Sequence, residues 1–76
     1  MGDSWPSVRA SDLVRIIERH CGQPTRQNGS HRRYKGKHKY FTFAYHNGDE
    51  INGNIVRRVL VNDVGLTAQE ARGEVS

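Results

Sequence analysis

Residues 25–45 read TRQNGSHRRYKGKHKYFTFAY, and this stretch predicts the sheet on which the fold is built. Asn28 and Gly29 are typical of a two-residue hairpin turn, because both residue types tolerate positive φ. The turn would join a short strand over residues 25–27 to a second strand over residues 30–35. The sequence therefore predicts an antiparallel hairpin at the centre of the chain.

Side chains point alternately to the two faces of a strand, so the second strand has two distinct faces. One face carries His31, Arg33 and Lys35. The opposite face carries Ser30, Arg32 and Tyr34.

A third strand is expected over residues 39–45, which are dense in aromatic and β-branched side chains. The segment Lys35-Gly36-Lys37 would form the turn that precedes it. Strand periodicity places Phe41, Phe43 and Tyr45 on one face, where they would pack against helices.

Along the chain, one helix is expected before the three strands and another after them. Ser11 is a suitable N-cap for the first helix, and Gly22 is suited to its end. Its inner face would be formed by Leu13, Ile16, Ile17 and His20. Asn54 is expected to cap the second helix, which would end at Gly65, and residues 67–71 could add one further turn.

These elements predict an α+β fold in the order α-β-β-β-α, with two helices on one face of a three-stranded antiparallel sheet. The 76 residues are enough for a single domain, 1–76, in which residues 1–9 form a loose leader. The other face of the sheet would be open and would carry His31, Arg33 and Lys35.

The centre of the chain is strongly basic. Between Glu18 and Asp49 there is no acidic residue, and this stretch holds seven of the 12 Lys and Arg residues and all four histidines. Together with the net charge of +4 of the whole chain, this basic stretch favours a polyanionic partner such as RNA. Alternate residues of a strand lie about 6.6 to 6.8 Å apart, close to the spacing of successive phosphates on an extended nucleic-acid strand. The candidate RNA contacts are Ser30, Arg32, Arg33, Lys35, Lys37 and Lys39.

Other classes of function have little support in the sequence. The single Cys21 excludes an internal disulfide and suits a reducing cytoplasm. No apolar run is long enough to span a membrane, and no secretory signal is recognisable. The histidines lack the spacing of zinc ligands, so neither a metal site nor a cofactor is expected.

By its spacing alone, His31 could be a structural or merely exposed histidine. It could also act as a catalyst, because RNA contains its own nucleophile in the 2′-hydroxyl group. An enzyme need only remove that proton, stabilise the charge on the phosphorane and protonate the leaving oxygen. An imidazole titrates near neutral pH and can take or give a proton, while Arg and Lys stabilise the charge. None of these steps requires a metal ion.

The motif Gly29-Ser30-His31, placed after a helix that ends at Gly22, resembles the HicA toxin family. The resemblance covers roughly residues 10–71. Its other elements are Arg26-Gln27, the strand Lys39–Tyr45 followed by His46, Gly53-Asn54, Gly65-Leu66-Thr67 and Glu70.

The resemblance implies a fold like that of double-stranded-RNA-binding domains. It also implies a small endoribonuclease that cleaves mRNA and arrests translation, and a HicB-type antitoxin that masks its active site. His31 matches the catalytic histidine of the family. His46 matches a histidine often found after the third strand, for which an auxiliary role is the weaker expectation.

Three alternatives remain open at this stage. The second proton transfer could belong to His46, His38, Lys37 or the substrate itself. The chain could instead be a non-catalytic RNA-binding module with the same fold, or its basic face could serve only to dock an acidic protein or to keep the sheet solvated. Tyr34, Tyr40 and Tyr45 could stack on unpaired bases if any of them faces outward.

Overall fold

The computed structural model describes residues 4–76. It contains five short strands and three α-helices, the second of which continues as a π-helical segment. In chain order these elements are β1 (Val8–Arg9), α1 (Ala10–Cys21), β2 (Arg26–Asn28), β3 (His31–Lys35), β4 (Tyr40–Phe43), β5 (Glu50–Ile51), α2 (Gly53–Arg57), the π-helical segment (Arg58–Val64) and α3 (Ala68–Val75).

The central sheet has three antiparallel strands in the order β2-β3-β4. Asn28 pairs with His31, so the hairpin loop consists of Gly29 and Ser30 rather than the expected Asn28 and Gly29. Gly29 has φ +62°, and no non-glycine residue between 4 and 76 has a positive φ. A turn that begins at Gly29 needs positive φ only at the glycine, whereas a turn that begins at Asn28 would need it at both positions.

A second ladder joins the start of the chain to the segment before α2. Strand β1 pairs with β5, with Val8 opposite Ile51. The side chain of Trp5 packs against the hydrophobic core. Of the expected leader over residues 1–9, residues 1–3 lie outside the described part, and residues 8–9 are held in this ladder.

Helix α1 begins earlier than expected, and Ser11 is not its N-cap. Arg9 occupies that position without a side-chain cap. The backbone N–H groups of Ala10 and Ser11 donate instead to the carbonyl oxygens of Asp49 and Asn47, at 2.8 and 3.1 Å. Because a neighbouring loop satisfies these N–H groups, the helix does not need a capping side chain.

The expectation that Asn54 caps the second helix is also wrong. The Asn52 side chain accepts a hydrogen bond of 3.0 Å from the N–H of Ile55, and helix α2 begins at Gly53. The π-helical segment then continues to Val64, and Gly65 ends it in the left-handed conformation with φ 100°. The expected end of this helical stretch at Gly65 is therefore confirmed.

The single further turn expected over residues 67–71 is a complete third helix, α3. Thr67 and Glu70 form a reciprocal capping box at its start, with hydrogen bonds of 2.9 and 3.1 Å. The hydrogen bond that the Thr67 N–H donates to the Glu70 carboxylate, with a further contribution from the Thr67 hydroxyl, lowers the pKa of that carboxyl below its usual value. A local capping motif therefore begins a helix that is longer than the sequence pattern predicts.

One hydrophobic core lies between the inner face of the sheet and the helices. Tyr34, Phe41 and Phe43 enter it from the sheet, and the core as a whole comprises Ala10, Leu13, Ile16, Ile17, Tyr34, Phe41, Phe43, Ile51, Val56, Val59, Leu60, Val64 and Ala71. The expected α+β class with a three-stranded antiparallel sheet is confirmed, and the arrangement is consistent with a double-stranded-RNA-binding-domain-like fold. None of the helices within residues 4–76 has the length and apolar character needed to cross a membrane.

Candidate functional site

Strand β3 separates a core side from an open side. Tyr34 is buried and Arg32 is partly buried, whereas His31, Arg33 and Lys35 are exposed. This alternation is the one that strand periodicity predicts. We refer to the exposed side of β2, β3 and β4 as the open face.

His31 lies in an open depression of about 250 Å³ on the open face. It is lined by Arg26, Asn28, His31, Arg33 and Thr42. All three strands contribute, because β3 pairs Arg33 with Arg26 on one side and with Thr42 on the other. His31 therefore shares a depression that solvent can reach with two arginines.

Arg26 belongs to this site but is not among the candidate residues predicted from the sequence. It comes from β2 and lies directly opposite Arg33 in the sheet. Residues directly opposite each other in a sheet share a face. A two-residue loop at either position of the hairpin puts Arg26 on the same face as His31, so the hairpin motif contained the information needed to find it.

The open face also carries an aromatic side chain. Tyr40 is 50% exposed, and the guanidinium carbon of Arg33 lies 5.0 Å from the centre of its ring. Tyr34 is fully buried, and Tyr45 is half-buried beside Phe43. Of the three tyrosines considered for base stacking, Tyr40 is therefore the one that faces outward.

Arg32 and Ser30 lie away from the depression. The Arg32 side chain is on the core side of the sheet, where its Nη2 donates a hydrogen bond of 3.1 Å to Asn47 Oδ1. Its Nη1 is buried without a hydrogen-bond partner among the described residues. Ser30 is the second residue of the hairpin loop. Neither residue shares the exposed row of β3.

The two lysines after β3 have acidic neighbours. Lys39 Nζ lies 3.1 Å from Asp63 Oδ1, so its charge is already compensated. Lys37 lines a recess of about 330 Å³ at the end of the sheet where β3 stops, together with His20, Lys35 and Glu70. Burial raises the pKa of the Cys21 thiol, which also lines this recess.

The stretch between Glu18 and Asp49 contains no acidic residue, but acidic side chains from other parts of the chain lie beside some of its cations in the folded protein. Arg19 and His20 both contact Glu74 of α3, each at 2.9 Å. By contrast, Arg26, Arg33 and Lys35 form no ion pair with any residue in the range 4–76. These three side chains therefore give the open face positive charge that no acid of the described residues compensates within ion-pair distance.

The four histidines lie in different parts of the molecule. His46 follows β4 and lies at the end of the sheet where β3 begins with His31. His38 is exposed in the turn at the opposite end. His20 is on α1. Within the described residues, no group of three or more His, Cys, Asp or Glu side chains could hold a metal ion.

A model of the family described as HicA toxin of bacterial toxin-antitoxin systems matches residues 10–66. The match begins at the first residue of α1 and includes the whole three-stranded sheet with His31. This chain belongs to the HicA toxin family. No curated protein and no solved structure matches it. Membership of the HicA toxin family supports a toxin role, and a toxin–antitoxin system implies an antitoxin as the partner.

Proposed function

We propose that this chain is an endoribonuclease that cleaves mRNA without a metal ion and so arrests translation, with His31 as general acid or base. The observation that supports this most directly is the position of His31, exposed in one depression with Arg26 and Arg33. An exposed imidazole beside two arginines is suited to a phosphodiester. The arginines bind the phosphate, and the imidazole moves a proton.

The proposed reaction uses the nucleophile that RNA carries. The ribose 2′-oxygen forms a bond to phosphorus while its proton passes to a base, and the bond from phosphorus to the 5′-oxygen of the next nucleotide breaks. The leaving 5′-oxygen takes up a proton from an acid. Arg26 and Arg33 stabilise the additional negative charge on the phosphorane. The products are a 2′,3′-cyclic phosphate and a 5′-hydroxyl end.

His31 performs one of the two proton transfers, and His46 is the better candidate for the other. His46 lies at the same end of the sheet as His31, whereas His38 and Lys37 lie in the turn at the opposite end. Asp49 holds the His46 backbone through hydrogen bonds of 2.9 Å in both directions. A fixed backbone limits the positions that the imidazole can take.

We propose that the partner is a HicB-type antitoxin, as the family implies, and that both proteins act in the cytoplasm. An antitoxin that covers the open face would hide His31 and the uncompensated cations together. Masking this face would prevent RNA binding and cleavage in a single step.

The test compares purified wild-type protein with His31→Ala and His38→Ala, incubated with RNA in EDTA. Both histidines are exposed, but His38 is in the turn away from the depression, so it controls for the loss of an imidazole. We expect the wild type and His38→Ala to cleave RNA, and His31→Ala to bind RNA without cleaving it. A 2′-deoxy nucleotide on the 5′ side of the cut should abolish cleavage.

Other outcomes would contradict the proposal in distinguishable ways. Cleavage by His31→Ala in EDTA would remove the catalytic assignment. Intact RNA that binds to the wild type at low salt would favour a non-catalytic RNA-binding module. Negligible affinity for RNA together with tight binding to an acidic protein would leave the open face as a docking surface.

A further inference from the structure

Among residues 4–76, Tyr40 is the large apolar side chain that is left exposed. It is 50% exposed, and it is on the same face of the sheet as His31. Its position opposite Lys35 in the sheet puts it at the end of β3 furthest from His31. An aromatic ring open to solvent on a cationic face is the element on which unpaired bases stack.

Arg33 connects this ring to the depression around His31. Its guanidinium carbon lies 5.0 Å from the centre of the Tyr40 ring, and the same side chain lines the depression. One arginine thus contacts the aromatic ring and the histidine site. An RNA strand that runs along β3 would pass from the depression around His31 to the Tyr40 ring without leaving the open face.

The length of β3 determines how many nucleotides separate the two positions. His31 and Lys35 are four residues apart, and Tyr40 lies beside Lys35. At about 3.4 Å per residue this is about 14 Å, or two steps between exposed side chains of the strand. Each step is close to the separation of successive phosphates on an extended strand, so about two nucleotides fit between His31 and Tyr40.

We propose, on the basis of the function proposed above, that the substrate is single-stranded RNA and that the base two nucleotides from the scissile phosphodiester stacks on Tyr40. Arg33 lies between these two positions, because it contacts the Tyr40 ring and lines the depression around His31. A base within a duplex has both its faces covered by its neighbours, so it cannot stack on Tyr40. The ring therefore selects unpaired RNA and sets the distance from the stacked base to the cut.

The experiment uses synthetic single-stranded RNA that contains one cleavage site, together with a set of versions in which each nucleotide near the site is replaced in turn by an abasic ribose. These are cleaved by the wild type, Tyr40→Phe, Tyr40→Ala and His38→Ala. Tyr40→Phe retains the ring, and His38→Ala is a surface change near the same end of the sheet.

We expect Tyr40→Ala to raise KM about 10-fold with little change in kcat, and Tyr40→Phe and His38→Ala to stay close to the wild type. An abasic ribose two nucleotides from the cut should raise the KM of the wild type by the same factor. The same abasic ribose should not raise the KM of Tyr40→Ala any further, because this variant already lacks the ring on which the base would stack. Annealing a complementary strand should protect the RNA.

Additive effects of Tyr40→Ala and the abasic ribose would overturn this inference, as would equal cleavage of single-stranded and duplex RNA. These results are separate from a failure of the proposed function. That failure would appear as equal activity of His31→Ala and the wild type on every RNA, whatever the Tyr40 variants do.

Discussion

The Tyr34 hydroxyl donates a hydrogen bond of 2.7 Å to Glu18 Oε2 and so joins the inner side of β3 to α1. Tyr34 is fully buried and lies between the two exposed cations Arg33 and Lys35. The side of β3 that would contact RNA is therefore held in place from behind by a charge-assisted hydrogen bond.

Tyr34→Phe removes this hydrogen bond and keeps the ring. We expect it to lower the free energy of unfolding by about 1.5 kcal/mol, as is typical for a hydrogen bond to a charged group. Urea denaturation would measure the loss. Tyr45→Phe is the control, because the Tyr45 hydroxyl lies outside this contact. Equal stability of Tyr34→Phe and the wild type would contradict the prediction.

The Tyr34 hydroxyl should also make the free energy of unfolding depend on pH in the alkaline range. Burial, then the hydrogen bond and charge of Glu18, raises the pKa of Tyr34 well above its ordinary value. Above about pH 10 the unfolded chain loses this proton while the folded chain retains it, so the free energy of unfolding falls as pH rises. The stability difference between the wild type and Tyr34→Phe should therefore shrink between about pH 9 and about pH 11.5. A constant difference over this interval would argue against the raised pKa.

Two glycines should respond to alanine with opposite signs. A Cβ at Gly36 would lie 2.1 Å from the carbonyl oxygen of Asp63, which is backbone and cannot move aside cheaply. Gly36→Ala should therefore destabilise the protein by about 1 to 3 kcal/mol. Gly73 lies within α3, where an added Cβ would have no atom within 4 Å apart from its chain neighbours and the backbone of the helix itself, so Gly73→Ala should stabilise the protein by up to about 1 kcal/mol. Thermal unfolding of both variants would check the signs.

The two asparagines at the start of α2 should not be equivalent. Asn52 caps the helix through its side chain, whereas Asn54 is already inside it. Asn52→Ala should cost about 1 kcal/mol of stability, and Asn54→Ala much less. A larger loss in Asn54→Ala in chemical denaturation would reverse this assignment of the cap.

The salt dependence of RNA binding should distinguish the cations of the open face from those already paired. Binding to single-stranded RNA releases counterions, so log K falls with log salt concentration in proportion to the number of phosphates contacted. Arg33→Ala should reduce the slope by about 0.7. Lys39→Ala should change it far less, because Asp63 compensates that charge. Equal changes for the two variants, measured by fluorescence anisotropy, would contradict the proposed RNA path.

Expression in a bacterial host should give the corresponding result in cells. We expect wild-type protein and His38→Ala to arrest growth with loss of intact mRNA, and His31→Ala to allow growth at comparable protein levels. Growth arrest by His31→Ala would separate toxicity from the proposed catalytic residue.

Local patterns in the sequence were sufficient for several parts of the site. A period of two along β3 put His31, Arg33 and Lys35 on one face, and the apolar spacing of the first helix identified Leu13, Ile16 and Ile17 as core. These predictions succeed because they depend only on the geometry of one strand or one helix. The motif Gly29-Ser30-His31 and the elements around it also led to the family.

Other parts depended on contacts between distant segments. Ser11 is a good capping residue by type, yet the loop carbonyls at Asn47 and Asp49 satisfy the start of α1 instead. Which group satisfies a helix end depends on what lies beside it in space. Neither the propensity of a residue nor its local spacing contains that information.

By itself, the sequence determined the three strands of the central sheet, the apolar face of the first helix, the basic centre and the histidine, because each of these follows from the order of neighbouring residues. Only the tertiary structure decided which cations remain uncompensated. It placed Glu74 beside Arg19 and Asp63 beside Lys39, and it placed Arg26 and Arg33 around His31. The physical reason is that electrostatic compensation depends on distance in space, and folding brings together charges that lie far apart along the chain.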